Sequence, residues 1–96
     1  MTTKDDRILI MKIEKKIWPE FFEKVASGEK TFELRLADWE CRPGDFLVLK
    51  EWNPDTKQYT GREIDKEVTY VLKTKDVKLF PQDDIERYGF QIISIK

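Results

Sequence analysis

The spacing of apolar residues in this chain predicts one clear helix near the N-terminus. From Trp18 to Ala26 the apolar side chains recur at helical spacing, which places them on one stripe and predicts that Trp18 packs in the core. Pro19 suits the first turn of such a helix, and Gly28 suits the left-handed position after its last turn. We therefore predict a helix that begins after Trp18 and ends before Gly28.

Shorter segments alternate apolar and polar side chains, with the period of two expected of β-strands. Within residues 30–36 the apolar side chains would share one strand face, and Thr31, Glu33 and Arg35 the other. Strands are predicted at residues 8–13, 30–36, 46–52, 64–72 and 90–95, and a short acid-capped helix at residues 80–89. With turn signals between them, these segments predict an α+β fold: a small β-barrel of about five to six strands with one main N-terminal helix and one short C-terminal helix.

The length and the cysteine content indicate one small domain. We predict a disordered lead-in over the polar residues 1–7 and a single domain over residues 8–96. The first residues lack a secretory pattern, and no apolar run reaches the roughly 18 residues of a membrane helix. Cys41 is the one cysteine, so no intrachain disulfide can form. These features lead us to expect a cytoplasmic protein.

The charge of the chain is dense but balanced, with 18 Lys and Arg against 19 Asp and Glu. A chain this close to neutral is not a general nucleic-acid coat, so any RNA contact must come from a local patch. The absence of histidine excludes Ser-His-Asp and Cys-His catalysis, and with a single cysteine it excludes the common zinc sites. We therefore expect neither a cofactor nor a metal ion.

The segment after the first helix carries the densest chemistry in the chain. It places Lys30, Glu33 and Arg35 within a few residues of one another. Arg35 would suit a phosphate, Lys30 could donate to a carbonyl or act as a base, and Glu33 could accept from a base edge or carry a proton. The alternative is an exposed, salt-bridged strand face, which is common in proteins.

This segment also carries a family resemblance. Gly28-x-Lys30-x-x-Glu33-x-Arg35 matches the GxKxxExR signature of the ASCH group. The blocks at residues 16–22, 44–49, 59–62 and 68–71 extend the similarity in the same order, so that the resemblance covers roughly residues 11–95. The chain therefore resembles a subfamily of ASCH-related proteins. This resemblance implies a PUA-like β-barrel with an RNA-binding cleft beside the first helix.

Some proteins with the ASCH signature are enzymes. One branch hydrolyses acetylated cytidine, and others are reported nucleases. The catalytic lysine of the acetylcytidine branch corresponds to Lys30, but its threonine partner corresponds to Glu33 here. The chain also has Ala37-Asp38-Trp39 where the subfamily often has Asn-Asp-Arg, which replaces a phosphate-binding arginine with an aromatic ring. An aromatic ring in that loop would favour stacking on a base.

Three further residues are candidates for the walls of the cleft. Lys16, which clusters with Lys12 and Lys15, could extend an RNA path, although an ordinary solvated sheet edge is the commoner explanation. Tyr59 and Arg62 would form one wall, with Arg62 on a phosphate. The alternative is a tyrosine packed over a hairpin beside a solvated arginine.

Together these features predict an RNA- or nucleotide-binding module that uses a polar cleft between the first helix and the barrel. The alternatives are a small metal-independent hydrolase that acts on a modified nucleoside or RNA through Lys30 and Glu33, and a protein-interaction module. The residues expected to contact the ligand are Lys16, Lys30, Thr31, Glu33, Arg35, Asp38, Trp39, Tyr59 and Arg62. We expect a monomer, with an RNA or nucleotide-like ligand and no membrane partner.

Overall fold

The computed structural model describes residues 9–96. The predicted lead-in at residues 1–7, and the first residue of the predicted strand at residues 8–13, lie outside the described residues. The elements are β1 (Lys12–Ile17), α1 (Pro19–Ala26), β2 (Phe46–Asn53), β3 (Gln58–Glu67), a 3₁₀ turn (Thr74–Asp76) and α2 (Gln82–Tyr88). The predicted α+β class is therefore confirmed. The two helices are nearly equal in length, at eight residues for α1 and seven for α2, rather than one main and one short helix.

The three strands form one sheet in the order β1-β2-β3, with β1 parallel and β3 antiparallel to the central strand β2. Because β1 and β2 are parallel, the chain between them must cross over the sheet. This crossover, residues 18–45, contains α1 and residues 28–35, which carry the GxKxxExR signature and are called the signature segment below. Its residues Phe22 and Val25 are buried in the core, where they pack with Leu47 and Leu49 of β2.

The helix α1 has the bounds that the sequence predicts. Pro19 occupies its first turn, and Gly28 follows its end with a φ of 85°, a conformation that glycine adopts without steric cost. The Lys30 N–H then donates to the Lys24 carbonyl, which fixes the path of the chain as it leaves the helix. Trp18 differs from the prediction: it precedes the helix in an extended conformation and is 48% exposed.

Two predicted strands have the wrong bounds. The first strand is Lys12–Ile17 rather than residues 8–13, because residues 12–17 are the ones that pair with β2. The third strand is Gln58–Glu67 rather than residues 64–72. Its first residues are mostly polar, so no apolar pattern indicates a strand there, but they pair with β2 in a hairpin. In both cases backbone pairing with a neighbouring strand decides the bounds.

The predicted strands at residues 30–36 and 90–95 do not form within residues 9–96, and the three-stranded sheet there is open rather than closed into a barrel of five to six strands. The two segments do touch. The Thr31 N–H donates to Ser94 Oγ at 3.2 Å, and Thr31 Oγ1 donates to the Ile95 carbonyl at 3.5 Å. Each of these bonds uses a side chain, so they do not amount to the backbone ladder that defines a strand pair.

Candidate functional site

A pocket of about 420 Å³ lies between the segment that follows α1 and the core-facing side of the sheet. We refer to it as the pocket. Leu47 and Leu49 of β2 contribute to its floor, and the signature segment and residues 66–73 contribute to its walls. The crossover between the parallel strands creates this space, because it carries the signature segment across one sheet face. The position agrees with the predicted cleft beside the first helix.

The three charged signature residues meet in one cluster on the pocket wall. Lys30 Nζ donates to Glu33 Oε1 at 2.8 Å and to the Phe32 carbonyl at 2.6 Å. Arg35 donates to Glu33 Oε2 from both Nε and Nη2, each at 2.8 Å. Glu33 therefore bridges the two cations, one with each of its oxygens. The structure brings these three predicted site residues together.

The signature segment turns its polar side toward the protein. The side chains of Lys30, Glu33 and Arg35 are 14%, 18% and 26% exposed. Leu34 and Leu36, which alternate with them, are 66% and 81% exposed. An ordinary amphipathic strand has the opposite arrangement, with charged groups in water and leucines inside. The alternative of a solvated, salt-bridged strand face therefore does not describe this segment.

Trp39 lines the pocket and packs on the core, as a half-buried side chain of the loop that follows the signature. The Lys15 ammonium lies over its ring, 3.8 Å from the ring centroid, which is a cation–π contact. Lys15 was expected only within a lysine cluster along an RNA path, and not as a contact of the pocket wall. The position of Lys15 in the strand could have indicated this contact. Lys15 lies between Ile13 and Ile17 on the core-facing side of β1, where the alternation of side chains predicts an apolar residue.

Lys66 is a second lysine on the core-facing side of the sheet. It pairs with Leu47 across β2 and β3, so its side chain lies on the same face as that buried leucine. It lines the pocket, and within residues 9–96 its ammonium has no ion-pair partner. Lys66 was not predicted as a site residue, although it interrupts the apolar positions Ile64 and Val68 in the same way as Lys15 interrupts Ile13 and Ile17.

The remaining predicted residues are divided between the pocket and other surfaces. Thr31 lines the pocket, whereas Asp38 is exposed and does not contribute to its lining. Lys16 and Tyr59 lie on the opposite face of the sheet from the pocket. There the Lys16 ammonium is 4.4 Å from the Trp52 ring centroid and 6.0 Å from that of Tyr59. Trp52 and Tyr59 are cross-strand partners, so these aromatic side chains and the lysine form a separate surface cluster.

Arg62 is also away from the pocket, in an irregular part of β3. The ladder between β2 and β3 is interrupted after Lys50, and Gly61, with a φ of 96°, lies in the extra length of β3. There Arg62 donates to both oxygens of buried Glu51, at 2.9 and 2.8 Å, and Thr60 Oγ1 donates to Oε1 at 2.6 Å. The pKa of Glu51 is lowered, first by Arg62 and then by Thr60. Arg62 also donates to Glu23 on α1, and its guanidinium is thus committed to holding the helix on the sheet.

Some classes of site are not found in the part of the chain that the structure describes. Residues 9–96 contain no group of three or more His, Cys, Asp or Glu that could hold a metal ion. No helix in that range is long and apolar enough to cross a membrane. Cys41 lines the pocket and is half-buried.

A family model described as "Domain of unknown function (DUF3850)" matches residues 13–84, which is well over half of the chain. The chain belongs to this family. The matched residues of this DUF3850 domain include β1 from its second residue onward, all of α1, β2 and β3, and the signature segment. An uncharacterized 12.9 kDa protein encoded in the GpA 3′ region of Escherichia phage P2 is 33% identical over 63 residues. The alignment covers 66% of this chain and 56% of the phage protein, so the chain spans just over half the length of that relative.

Proposed function

We propose that the pocket binds one nucleotide unit, either of single-stranded RNA or of a free nucleotide. The observation that supports this most strongly is the inward-facing Lys30–Glu33–Arg35 cluster, which shares a pocket of about 420 Å³ with the Trp39 ring. Pockets of ~300–1,000 Å³ that combine apolar walls with a few polar groups are typical of small-molecule sites. A nucleotide needs both parts, because it has a flat base and a charged backbone.

The charged cluster provides hydrogen-bond donors for the ligand. A lysine ammonium has three N–H donors and an arginine guanidinium has five. The contacts with Glu33 and the Phe32 carbonyl engage two donors of Lys30, and those with Glu33 engage two of Arg35. The others are able to bind ligand oxygens. Glu33 fixes the orientation of both cations, so little side-chain entropy is lost when the ligand binds.

Trp39 provides a stacking surface for the base. The Lys15 ammonium covers one face of the ring, and a base would stack on the part of the ring that lines the pocket. Stacking on an aromatic side chain contributes about 1–3 kcal/mol per base and tolerates any base, because every base has a π-face. RNA recognition by small domains commonly uses unstacked bases in this way. This contact is one that a nucleotide base can make.

The same contacts favour binding over hydrolysis. A hydrolase that used Lys30 and Glu33 would need one of them to take a proton from water or substrate. Each oxygen of Glu33 already accepts a hydrogen bond from a cation, and Lys30 Nζ already donates to two oxygens. Both groups are therefore engaged as a fixed ion pair, which suits recognition. A protein-interaction role does not require an inward-facing polar cluster beside an aromatic ring in a pocket.

We also propose that the DUF3850 fold is a PUA-like barrel related to the ASCH group, as the GxKxxExR signature suggests. The extended segments at residues 30–36 and 90–95 already touch through Thr31, and each carries apolar side chains that are exposed in the open sheet. Backbone pairing of these segments would cover those side chains. Cross-strand nuclear Overhauser effects between residues 30–36 and 90–95, and between these segments and the edge strands of the sheet, would establish the barrel. Rapid amide exchange throughout both segments would contradict it.

The nucleotide proposal is tested with two arginine variants. R35Q removes a charged donor from the pocket, whereas R87Q removes an exposed arginine of α2 that does not line it. Affinity for short RNAs and mononucleotides is measured by NMR titration. We expect R35Q to weaken binding about tenfold or more, since hydrogen bonds to charged groups contribute roughly 1.5–3 kcal/mol, and R87Q to leave it unchanged. Equal affinities in all three proteins would contradict the proposal.

A further inference from the structure

The residues that line the pocket have a net positive charge, whereas the chain as a whole has a net negative charge. The full sequence has a net charge of −1. The charged residues that line the pocket are Lys30, Arg35, Lys66, Lys73, Glu33 and Glu67, so that cations outnumber acids by four to two. A pocket with this excess in an acidic chain is a local positive site, and low-dielectric walls strengthen its field.

The ion-pair partners of these cations show which of the positive charges are unmatched. Glu33 can neutralise only one of the two cations that it bridges, Lys30 and Arg35. Lys73 donates to Glu40 at 2.8 Å, which balances its charge. Glu67 pairs with Phe46 on the sheet face away from the core, so strand alternation directs its carboxylate away from the pocket.

One of the two positive charges of the Lys30–Arg35 pair therefore remains unmatched by an acid, and so does Lys66. Lys66 lies on the core-facing side of β3, opposite buried Leu47, and within residues 9–96 it has no ion-pair partner. The Lys66 side chain is exposed to solvent, and it can reach a ligand in the pocket that it lines. A bound anion would balance the charge of Lys66 together with the unmatched charge of the Lys30–Arg35 pair.

We propose that the pocket takes a phosphorylated nucleoside rather than an uncharged one, with Lys66 as the residue that selects for the phosphate. This inference rests on the proposed function, since it assumes that a nucleotide unit occupies the pocket. Arg35 supplies a planar donor edge for phosphate oxygens, and Lys66 supplies a flexible point charge from the sheet side. Trp39 holds the base.

The test compares nucleosides with their 5′- and 3′-monophosphates by NMR titration of the wild-type protein and of two lysine variants. K66Q removes an unmatched cation. K78Q is the matched control, because Lys78 is exposed, has no ion-pair partner among the described residues and does not line the pocket. Trinucleotides with and without a terminal phosphate determine whether the phosphate belongs to a free nucleotide or to an RNA end.

The expected result is that monophosphates bind the wild type and K78Q about tenfold more tightly than nucleosides, and that K66Q reduces this preference at least severalfold. The preference should weaken as salt is added. Equal affinity for nucleosides and monophosphates in the wild type would overturn the inference and leave the proposed function standing. A preference that K66Q retains in full would overturn the role of Lys66. Failure of every probe to bind at millimolar concentration would overturn both proposals.

Discussion

Lys30 Nζ donates to Glu33 Oε1 across 2.8 Å, and only 14% and 18% of the two side chains are exposed. This ion pair is local in sequence but faces the interior of the domain. It shares the Glu33 carboxylate with Arg35, so one acid orients two cations. A ligand would therefore meet a preformed pair of donors on the pocket wall.

Replacing Glu33 should destabilise the domain more than replacing an exposed acid. E33Q leaves the Lys30 and Arg35 charges close together and poorly compensated, and loss of a partner from a largely buried charged group costs about 1–3 kcal/mol. We expect a decrease of that size in the free energy of unfolding, measured by urea denaturation. E86Q, on the exposed side of α2, is the control and should change stability by less than about 0.5 kcal/mol. Equal effects of the two substitutions would show that the cluster carries no structural energy.

The stability of the domain should decrease in acid because of Glu51. Arg62 and Thr60 lower the pKa of Glu51 below its ordinary value of 4.5 in the folded protein. The unfolded state therefore takes up protons first as the pH falls, and the stability contributed by the ionised carboxylate is present above pH 4.5 and lost as the pH falls through the lower folded pKa. Urea denaturation at a series of pH values below 5 measures this slope.

Comparison of two glutamine variants isolates that contribution. E51Q removes the titrating group and should have a shallower dependence of stability on pH than the wild type, in addition to a lower stability at neutral pH. E63Q lies two residues from Gly61 on the exposed side of β3 and should retain the wild-type slope. If E51Q kept the full slope, other carboxylates would account for acid sensitivity.

Replacing Trp39 should weaken ligand binding, whereas replacing Trp52 should not. W39L removes the ring that lines the pocket, and loss of base stacking is expected to cost about 1–3 kcal/mol of binding energy. W52L removes a ring on the opposite sheet face, beside Lys16 and Tyr59, and should leave nucleotide affinity unchanged. Affinities are compared by NMR titration. A larger loss for W52L would move the binding surface to the other side of the sheet.

The sequence predicted the elements whose signals are local. Pro19 and Gly28 mark the ends of α1, because proline fixes the first turn and glycine accepts the left-handed conformation. The continuous apolar run at residues 46–49 indicated β2 equally clearly. The bounds of β1 and β3 could not be predicted from alternation, because Lys15 and Lys66 interrupt it and pairing with β2 holds polar stretches in place.

The site was predicted where its residues are close in sequence. Lys30, Glu33 and Arg35 belong to one segment, and their chemistry indicated a cluster. Sequence proximity misled the prediction for β1: Lys15 and Lys16 are neighbours, but alternation places Lys15 beside Trp39 and Lys16 on the opposite face. The partners of Arg62 depend on tertiary packing of α1 on the sheet, which a linear pattern does not reveal.

The most direct test of nucleotide binding in the pocket is a map of amide chemical shifts. The isotopically labelled protein is titrated with mononucleotides and short RNAs. The account predicts shifts concentrated at Lys30, Glu33, Arg35 and Trp39, with little change at Lys16 and Tyr59 on the opposite face. Shifts confined to the opposite face, or no shifts at millimolar ligand, would contradict it.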